Sequence, residues 1–557
     1  MKGDFTMKSS TKGLILALIV TILTGAGLYY FFLPVLNVKS VGMWFFLFFL
    51  LGEFAMIYEI VCAIFAHGKL HKVKHKPAIV SASIIGVAFL ILIVLVAYSH
   101  ELFHAKRYSQ ILTVEEDCDF QKDLSETIST DAIAIMDTES AKMLGNRKIG
   151  SLSNLVSQYN VSEQYSQINY QNTPMKTAPL EYAGFFKYMK NKGNGIPGYV
   201  LVSPVDMSAE YVTLEKNMNY VPSAYFSKNL TRHIRFHYPT KMIHDTWFEI
   251  DEEGNPYYIA SVYNNTIGLF GGKDIVGAIL VNPVNGDMEY CDVSEIPSWV
   301  DIIYDGDMLC EQYNYYGELT NGFLNSKFSA TGCKITTDDY GYIAMDDDIW
   351  VYTGVTSVNS DASNIGFVLM NERTKEAKFY SIAGADEKSA MTAAEGEVQQ
   401  YGYSASFPSL INIDGNATYI MVLKDSGGLV KMYAAVNAEQ YNIVTTASDQ
   451  QECIDKYRAR MAKGGEEVEE SAPNDAQPTA TASPEPTIAP DAYTSKKVTV
   501  KKLETIDVDG NTYLYLLTND GEYFHAKYVD VLPMMNVTEG DTITIQTYED
   551  LFLYEEN

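Results

Sequence analysis

Two histidines stand at a spacing that could bind a metal. His233 and His237 lie four residues apart, and His244 follows them. On a helix this spacing places both imidazoles on one face, where they could ligate zinc. Ile234 occupies the position at which a metalloprotease needs glutamate, and the flanking arginines would repel a cation. The sequence therefore favours structural or surface histidines, and it predicts neither a metal site nor a cofactor.

Aspartates form two further candidate clusters. Asp338 and Asp339 precede the run 346–348, and carboxylate oxygens are the ligands that calcium prefers. Acidic turns between strands explain the same pattern and are favoured. The chain has no GxSxG segment and no phosphate-binding loop before a helix. The sequence thus predicts no catalytic residue.

Tyrosine is abundant, with 40 residues among 557. Five of these tyrosines are candidates for recognition of a glycan or a peptide, because they occur in clusters. They are Tyr257, Tyr258, Tyr313, Tyr315 and Tyr316. Aromatic residues in strands serve more often as core or cross-strand pairs, so burial is the competing interpretation.

Two carboxylates, Glu53 and Glu59, fall inside an apolar stretch. An ionised carboxylate at membrane depth must face protein or water, or remain protonated. The favoured interpretation is hydrogen bonding within the helix bundle, with Glu59 reaching toward a basic loop. The alternatives are recruitment of a partner helix and a proton or cation relay.

Three apolar stretches position these acids. They span about 14–33, 41–66 and 78–98, and each is long enough to cross a hydrocarbon core of ~30 Å as a helix. Residues 1–100 are therefore predicted to form a membrane domain. Two further spans follow the first one closely, and no small-residue cleavage site ends it, so it is not a signal peptide.

Charge predicts the orientation of these spans. Lys2, Lys8 and Lys12 precede the first span and four lysines separate the second from the third, whereas the first loop carries only Lys39. Loops rich in Lys and Arg stay cytoplasmic. The prediction is a multi-pass cell-membrane protein with a cytoplasmic amino terminus and an extracellular body.

The body is strongly acidic. Residues 1–107 contain ten Lys or Arg and four Asp or Glu, whereas the whole chain contains 41 and 70 and has a net charge of −29. The acids therefore concentrate after the spans. Such a surface repels phosphates, which excludes nucleic-acid binding. It suits cationic partners.

Composition divides the rest of the chain. Residues 101–110 are predicted to continue the third helix as a stalk, and 111–461 to form a folded body. Residues 462–495 are rich in proline and acids, which is typical of a disordered linker. Residues 496–557 alternate like short strands and predict a small OB-like or SH3-like barrel.

Internal repeats indicate the architecture of the body. Residues 277–293 (GAILVNPVNGDMEYCDV) align without a gap with 366–382 (GFVLMNERTKEAKFYSI), and each predicts a strand, a turn and a strand. A strand that opens with an aromatic residue precedes each of them, and Tyr199 and Tyr419 are predicted to mark related openings. Helices are predicted near 227–237, 305–326, 386–399 and 453–461. The fold class is α+β, with three or four units of helix plus antiparallel sheet.

The segments 386–398 (DEKSAMTAAEGEV), 411–423 (INIDGNATYIMVL) and 431–444 (KMYAAVNAEQYNIV) together resemble PepSY-type repeats of bacterial membrane proteins. The turn Val281-Asn-Pro-Val-Asn-Gly-Asp also resembles the hairpin turn of that family. Long insertions such as 264–274 depart from the pattern. The resemblance implies extracytoplasmic regulation, inhibition or binding, without catalysis.

The expected function is a membrane-anchored scaffold or regulatory binding protein of the cell envelope. Its expected partners are other membrane or envelope proteins or polymers, and a homo-oligomer through the transmembrane helices stays open. One alternative is an envelope hydrolase with a carboxylate site in a tyrosine-lined cleft. The other is an accessory subunit of a transporter.

Overall fold

Three long helices open the chain. The structure, a computed structural model, describes residues 9–65, 75–116, 118–124, 134–345, 347–358, 364–465, 494–508, 511–528, 531, 534, 537–548 and 551–554. Helices α1 (Ser9–Phe32), α2 (Val41–Phe65) and α3 (Lys76–Tyr98) are each long and apolar enough to cross a bilayer. The chain is therefore a multi-pass membrane protein, and the predicted spans are confirmed to within two residues at each end.

The predicted stalk does not continue the third helix. Helix α3 ends at Tyr98, and a new helix, α4 (Glu101–Tyr108), begins after His100, whose extended backbone (ψ 153°) interrupts the helix. The imidazole of His100 accepts a hydrogen bond from the amide of Leu102 and so caps α4. Helix α4 then packs against the body instead of standing alone in water.

The body is docked on the end of the bundle where α1 and α3 terminate. Lys39, in the loop between α1 and α2, donates from Nζ to the carbonyl of Asn265 (2.5 Å), and the Asn265 amide returns a bond to the Lys39 carbonyl. Ser99 Oγ, just after α3, accepts from the amides of Leu269 and Phe270 at 3.0 and 3.2 Å. One β-hairpin thus binds both the first loop and the last span.

Two short elements connect the membrane to the body. They are β1 (Val114–Glu115) and α5 (Phe120–Asp123). Strand β1 pairs in parallel with a strand of the third unit, and Asp119 caps α5.

The body contains four units, each a helix followed by an antiparallel sheet. Unit 1 contains α6 (Thr138–Gly150), α7 (Ser153–Val156), β2 (Tyr159–Val161), β3 (Ser166–Tyr170), β4 (Thr173–Tyr182), α8 (Phe185–Asn191), β5 (Ile196–Ser203) and β6 (Ser208–Met218). Unit 2 contains α9 (Leu230–His237), β7 (Met242–Ile250), β8 (Pro256–Ile267), β9 (Gly271–Val281) and β10 (Met288–Asp292).

The other two units are larger. Unit 3 contains α10 (Gly306–Leu319), α11 (Phe323–Phe328), β11 (Lys334–Thr336), β12 (Gly341–Met345), β13 (Asp348–Ser357), β14 (Asn364–Asn371) and β15 (Ala377–Tyr380). Unit 4 contains α12 (Glu387–Glu397), β16 (Ser404–Ala405), β17 (Ser409–Ile413), β18 (Asn416–Lys424), β19 (Val430–Asn437), β20 (Val444–Ala447) and α13 (Gln450–Ala462). The predicted α+β fold with repeated units is confirmed.

The predicted repeat is a real structural repeat. In unit 2, Val281 pairs with Met288, and in unit 3, Met370 pairs with Ala377, so the two hairpins share one register. Asn282 accepts two amide hydrogen bonds inside its turn, and Asn371 does the same. An asparagine at the strand end thus nucleates each turn.

Unit 1 contains a third copy of this hairpin, which corrects the assignment of Tyr199. In β5 and β6, Val202 pairs with Ala209, and Ser203 replaces the turn asparagine by accepting from the amide of Asp206. Tyr199 therefore lies on the strand that carries the turn. The strand before it, β4, therefore corresponds to the strands of units 2 and 3 that open with an aromatic residue. In unit 4, Asn437 plays the same part in a turn that is one residue longer.

The helix predictions hold, with changes in where the helices begin and end. Asp386 caps α12, and Asp449 caps α13 by accepting from the amide of Glu452, which starts α13 a few residues before the predicted range. The region predicted helical over 305–326 forms α10 and α11, with Gly322 at a positive φ (89°) between them. The predicted linker lies mostly at 466–493, outside the described residues.

A closed five-stranded barrel ends the chain, as predicted. It contains β21 (Thr494–Val508), β22 (Asn511–Thr518), β23 (Tyr523–Lys527), β24 (Thr542–Tyr548) and β25 (Leu551–Leu553). The strand order is β21-β22-β23-β25-β24, with β23 and β25 parallel. This order favours the OB-like over the SH3-like alternative.

The repeated hairpins require a glycine, which gives a test of the repeat. A Cβ atom on Gly277 would overlap the carbonyl oxygen of Cys291, the backbone of the paired strand. We expect Gly277→Ala to destabilise unit 2 by about 1–3 kcal/mol, since backbone cannot move aside as a side chain can. The apparent melting temperature of the full-length protein in detergent measures this.

Gly396→Ala is the matched control. Gly396 lies inside α12 with open space around it, so alanine should stabilise that helix by about 0.5–1 kcal/mol. Equal melting temperatures for the two variants would contradict the assigned register.

Candidate functional site

A cleft of about 780 Å³ opens where units 1, 3 and 4 meet. Its apolar lining includes Ile335, Met391 and Phe407. Six acidic residues line it: Asp137, Glu139, Asp338, Asp339, Asp386 and Glu387. Only two lysines, Lys388 and Lys424, accompany them. We call this site the acidic cleft.

Two helices begin at the cleft, and their caps fix two of its carboxylates. Asp137 Oδ1 accepts from the amide of Ser140 at 2.9 Å at the start of α6. Asp386 Oδ1 accepts from the amide of Ser389 at 2.7 Å at the start of α12. Such caps satisfy amides that have no partner within the helix. The same local signal, aspartate followed three residues later by serine, therefore places equivalent carboxylates of units 1 and 4 at one site.

The charge states of the cleft carboxylates differ. Burial alone would raise the pKa of Asp137, but the Lys424 ammonium at 2.5 Å and the Ser140 amide hold it below its usual value. Glu387 has no such cation. Burial raises its pKa to about 7, against the opposing effect of hydrogen bonds from the Gly354 amide (2.6 Å) and the Thr337 hydroxyl (3.1 Å). One acid is thus fixed as an anion while the other titrates near neutrality.

A buried lysine lies directly behind the cleft. Lys176, on β4, is almost fully buried and donates from Nζ to the Thr138 hydroxyl at 3.2 Å. Burial lowers its pKa to about 8, opposed by the charges of Asp137 and Glu372. Glu372 is itself buried, and burial together with the carboxylates of Asp305 and Glu249 raises its pKa. Lys176 therefore connects the cleft electrostatically with the interior acids.

Those interior acids hold the junction of the first three units. The Glu249 carboxylate accepts from the amides of Asp301 (2.8 Å) and Ile302 (3.0 Å), and Asp301 accepts from the amide of Asn169 (2.8 Å). Burial raises the pKa of Glu249 to about 8, and burial beside Glu249 raises that of Asp301. Glu249 and Asp301 therefore have a structural role, since backbone amides already donate to their carboxylates.

The five predicted recognition tyrosines are distributed over three hydrophobic clusters. Tyr258 and Tyr313 are buried in the core, where no ligand can contact them in this structure. Tyr257 packs against Trp299, with ring centroids 4.9 Å apart. Tyr315 and Tyr316 donate to Glu311 and Glu116. A recognition role for these last three stays a prediction.

The histidine and aspartate candidates do not converge on a metal site. His233 Nε2 lies 2.7 Å from the Gly286 carbonyl oxygen, so that α9 is tied to the turn of its own sheet. Asp348 is engaged by Arg373 and Asn371, and Asp347 accepts from Asn169. Asp346 lies outside the described residues. Among the residues that the structure describes, no group of three His, Cys, Asp or Glu side chains could hold a metal ion.

The two intramembrane acids differ in their contacts. Glu59 Oε2 lies 2.7 Å from Nδ1 of His75, which joins the end of α2 to the start of α3. Glu53 Oε2 is buried and makes no hydrogen bond with any described residue. The hydrogen bond within the bundle that was predicted for this acid is thus not seen at Glu53 Oε2. A role for Glu53 outside the isolated bundle stays a prediction.

Comparison with known proteins gives no matching family model and no matching curated protein. The site must therefore be interpreted from its own chemistry. The acidic cleft combines carboxylates with apolar side chains, a lining that is complementary to cationic groups carried on an apolar framework.

The buried acids predict the pH dependence of stability. Glu387 has an ordinary pKa of 4.5 and a folded-state pKa of about 7, so the folded protein binds more protons between these values. Its contribution of up to about 3 kcal/mol is complete below pH 4.5 and is lost as the pH rises through 7. We expect the apparent melting temperature to fall between pH 5 and 8, and to fall less in Glu387→Gln, whose amide reproduces the protonated acid.

The control for this measurement is Glu215→Gln, on an exposed position of β6. It should leave the pH profile unchanged. An identical profile for Glu387→Gln and the parent protein would show that Glu387 does not take up a proton on folding.

Proposed function

We propose that the protein is a membrane-anchored scaffold or regulatory binding protein of the cell envelope. Its partner would present a basic segment to the acidic cleft. The single observation that carries this proposal is the cleft itself, in which six acidic residues and several apolar side chains line one cavity. Lysine or arginine side chains would pair with the acidic residues, while neighbouring apolar side chains would cover Met391 and Phe407.

The orientation of the body belongs to the same proposal. The lysines before α1 and between α2 and α3 favour a cytoplasmic location for that end of the bundle. The body contacts the opposite end, through Lys39 and Ser99. These contacts support a body on the outer side, where an envelope partner would reach the cleft.

The resemblance to PepSY-type repeats supports a binding role over catalysis. Its segments at 386–398 and 411–423 form α12 and the hairpin of β17 and β18. Helix α12 contributes Asp386 and Glu387 to the cleft. The repeat unit that resembles a regulatory module is thus also a wall of the proposed binding site.

Removal of charge from the cleft tests the proposal. Asp338 and Asp339 are exposed residues of the cleft, so Asp338→Asn combined with Asp339→Asn removes two charges without disturbing a buried group. We expect a short fluorescent peptide of alternating Lys and Leu to bind the full-length protein in nanodiscs about tenfold more weakly after this change. Fluorescence anisotropy at two salt concentrations measures the affinity and its electrostatic part.

The matched control removes two exposed acids elsewhere, with Glu215→Gln and Glu253→Gln. It has the same net charge as the cleft variant and should retain the parental affinity. Equal weakening in both variants would attribute binding to the overall charge of the body and would overturn the cleft as the binding site.

A hydrolase is the second candidate, on one specific observation. The pKa of Asp137 is lowered and that of Glu387 is raised to about 7 within one cleft, which is the arrangement that separates an anionic carboxylate from a proton donor. Cleavage of the bound probe in the same assay would favour this candidate, whereas recovery of intact probe would favour binding alone.

The intramembrane carboxylate makes a separate prediction. Glu53 lacks a hydrogen-bond partner among the described residues, so it could bind a helix of a partner or of a second copy. We expect Glu53→Leu to lower the recovery of crosslinked partner from cells while membrane insertion is retained. Quantitative affinity capture, with carbonate extraction as the insertion assay, measures both.

Met56→Leu is the control, because Met56 is an exposed apolar residue on the same helix. Unchanged recovery in Glu53→Leu would remove Glu53 from partner binding. The same result with altered ion flux in cells would favour the accessory transporter subunit.

A further inference from the structure

Four aromatic side chains form an exposed cluster on unit 1 and the turn that follows it. Phe185 and Phe186 open α8, and Tyr225 and Phe226 lie in the turn before α9. The ring of Phe185 lies 5.1 Å from that of Tyr225 and 6.4 Å from that of Phe226. Phe186 is 84% exposed. We call these four residues the aromatic patch; a soluble surface rarely carries such a patch without a partner.

The patch lies beside the end of a membrane-spanning helix. Arg232 donates from one guanidinium nitrogen to the Phe226 carbonyl (2.7 Å) and from Nε to the carbonyl of Tyr30 (3.1 Å). Tyr30 is in the last turn of α1, whose apolar span ends at Phe32. One side chain therefore joins the patch to the level at which α1 leaves the hydrocarbon, the level that tyrosine and other aromatic residues prefer.

Backbone strain holds one of these rings in its exposed position. Phe226 adopts a left-handed conformation with φ 56°, which is costly for a residue with a Cβ. The hydrogen bond from Arg232 to its carbonyl retains that conformation. The strained backbone at Phe226 thus keeps a phenylalanine ring exposed beside the level at which α1 leaves the membrane.

Charge around the patch is opposite to that of the rest of the body. Residues 183–195 contain three lysines and residues 216–244 contain five Lys or Arg, and neither segment contains an Asp or Glu, in a chain with 70 acids and 41 basic residues. Lys190 and Lys192, on and just after α8, are exposed. A basic surface with aromatic residues at its edge is the composition of interfacial membrane-binding elements.

A second apolar cluster lies at the end of α3. The ring of Phe323 is 6.0 Å from that of His100, the residue that caps α4. Leu324 and Phe328, on the same short helix, are 66% and 84% exposed. Phe103 of α4 is also exposed. Exposed apolar side chains thus occur beside the ends of both α1 and α3, the end of the bundle on which the body is docked.

We propose that the aromatic patch inserts into the interfacial layer of the bilayer that α1 to α3 span. The occupant of this surface is the lipid itself: the rings lie among the upper acyl chains, and Lys187, Lys190 and Lys192 bind phosphates of anionic lipids. The patch is continuous with the spanning helices through Arg232, and its charge complements an anionic headgroup. The membrane-facing side of unit 1 therefore fixes the tilt of the body above the bilayer. This inference does not depend on the acidic cleft.

A tryptophan reporter tests insertion. We expect Phe186→Trp, in a Trp44→Phe background, to add blue-shifted emission that is quenched when the full-length protein is placed in nanodiscs of brominated phosphatidylcholine and phosphatidylglycerol. The added emission is the difference from the Trp44→Phe protein, which retains Trp247, Trp299 and Trp350. Phe186 is so exposed that tryptophan should fit without repacking. Tyr441→Trp is the matched control, since Tyr441 is a 54% exposed aromatic in the turn between β19 and β20. It should be red-shifted and unquenched.

The lysines are tested separately. With Lys187, Lys190 and Lys192 all changed to Gln, the extra quenching in phosphatidylglycerol over pure phosphatidylcholine should be lost. Quenching of Phe186→Trp no greater than that of Tyr441→Trp would overturn insertion and would indicate a protein occupant of the patch. Equal quenching in both lipids before the lysine changes would overturn the binding of anionic headgroups. Phe185→Trp, at a 40% exposed position of the same patch, provides an independent reporter should Phe186→Trp fail to fold.

Discussion

The packing of units 1, 2 and 3 depends on the hydrogen bonds of one buried connecting segment. Residues 301–304 join units 2 and 3 without regular secondary structure and are buried, so their four amides need acceptors. The Glu249 carboxylate accepts from the first two, and the Glu372 carbonyl accepts from Ile303 and Tyr304. Asp301 in turn holds the β3 strand of unit 1. Loss of the Glu249 carboxylate would leave the buried amides of Asp301 and Ile302 without an acceptor. The free-energy cost of two unpaired buried donors is larger than the net stabilisation that the two hydrogen bonds provide.

That constraint explains why acids stay in an interior that disfavours their charge. Glu249 has amides on both carboxylate oxygens, and these hydrogen bonds favour the anion and offset part of the cost of burial, which still raises the pKa of Glu249 to about 8. The buried lysine behind the cleft, Lys176, lies close enough to Asp137 and Glu372 to raise the cost of changing either charge alone. Binding at the cleft and packing at the junction of the units are thus electrostatically connected through one side chain.

Local signals were sufficient for the membrane spans, most of the helices and two copies of the repeated hairpin. The third copy, in unit 1, was missed because Ser203 replaces the asparagine that begins the turn at Asn282 in unit 2 and at Asn371 in unit 3. The cleft could have been suspected from the common Asp-x-x-Ser start of α6 and α12. The roles of Glu249 and Lys176 could not have been predicted, since each is an ordinary polar residue of a strand. Their pKa values change only because a distant unit buries them. The burial of Tyr313 was not foreseen for the same reason, because the residues that pack around it come from other parts of the chain.

The distribution of charge makes the two surfaces of the body compatible. An acidic protein held beside an anionic bilayer would be repelled by it, but that repulsion falls off within a Debye length of about 8 Å. Only the surface nearest the lipid must therefore be basic, and the segments around α8 and α9 are free of acids. The acids that line the cleft come from α6, α12 and the loop after β11, elements that make no described hydrogen bond to the spanning helices. Under the two proposals, a cationic partner would be attracted to the cleft without competing for the membrane-facing side, so that anchoring and recognition would be separated by charge as well as by position.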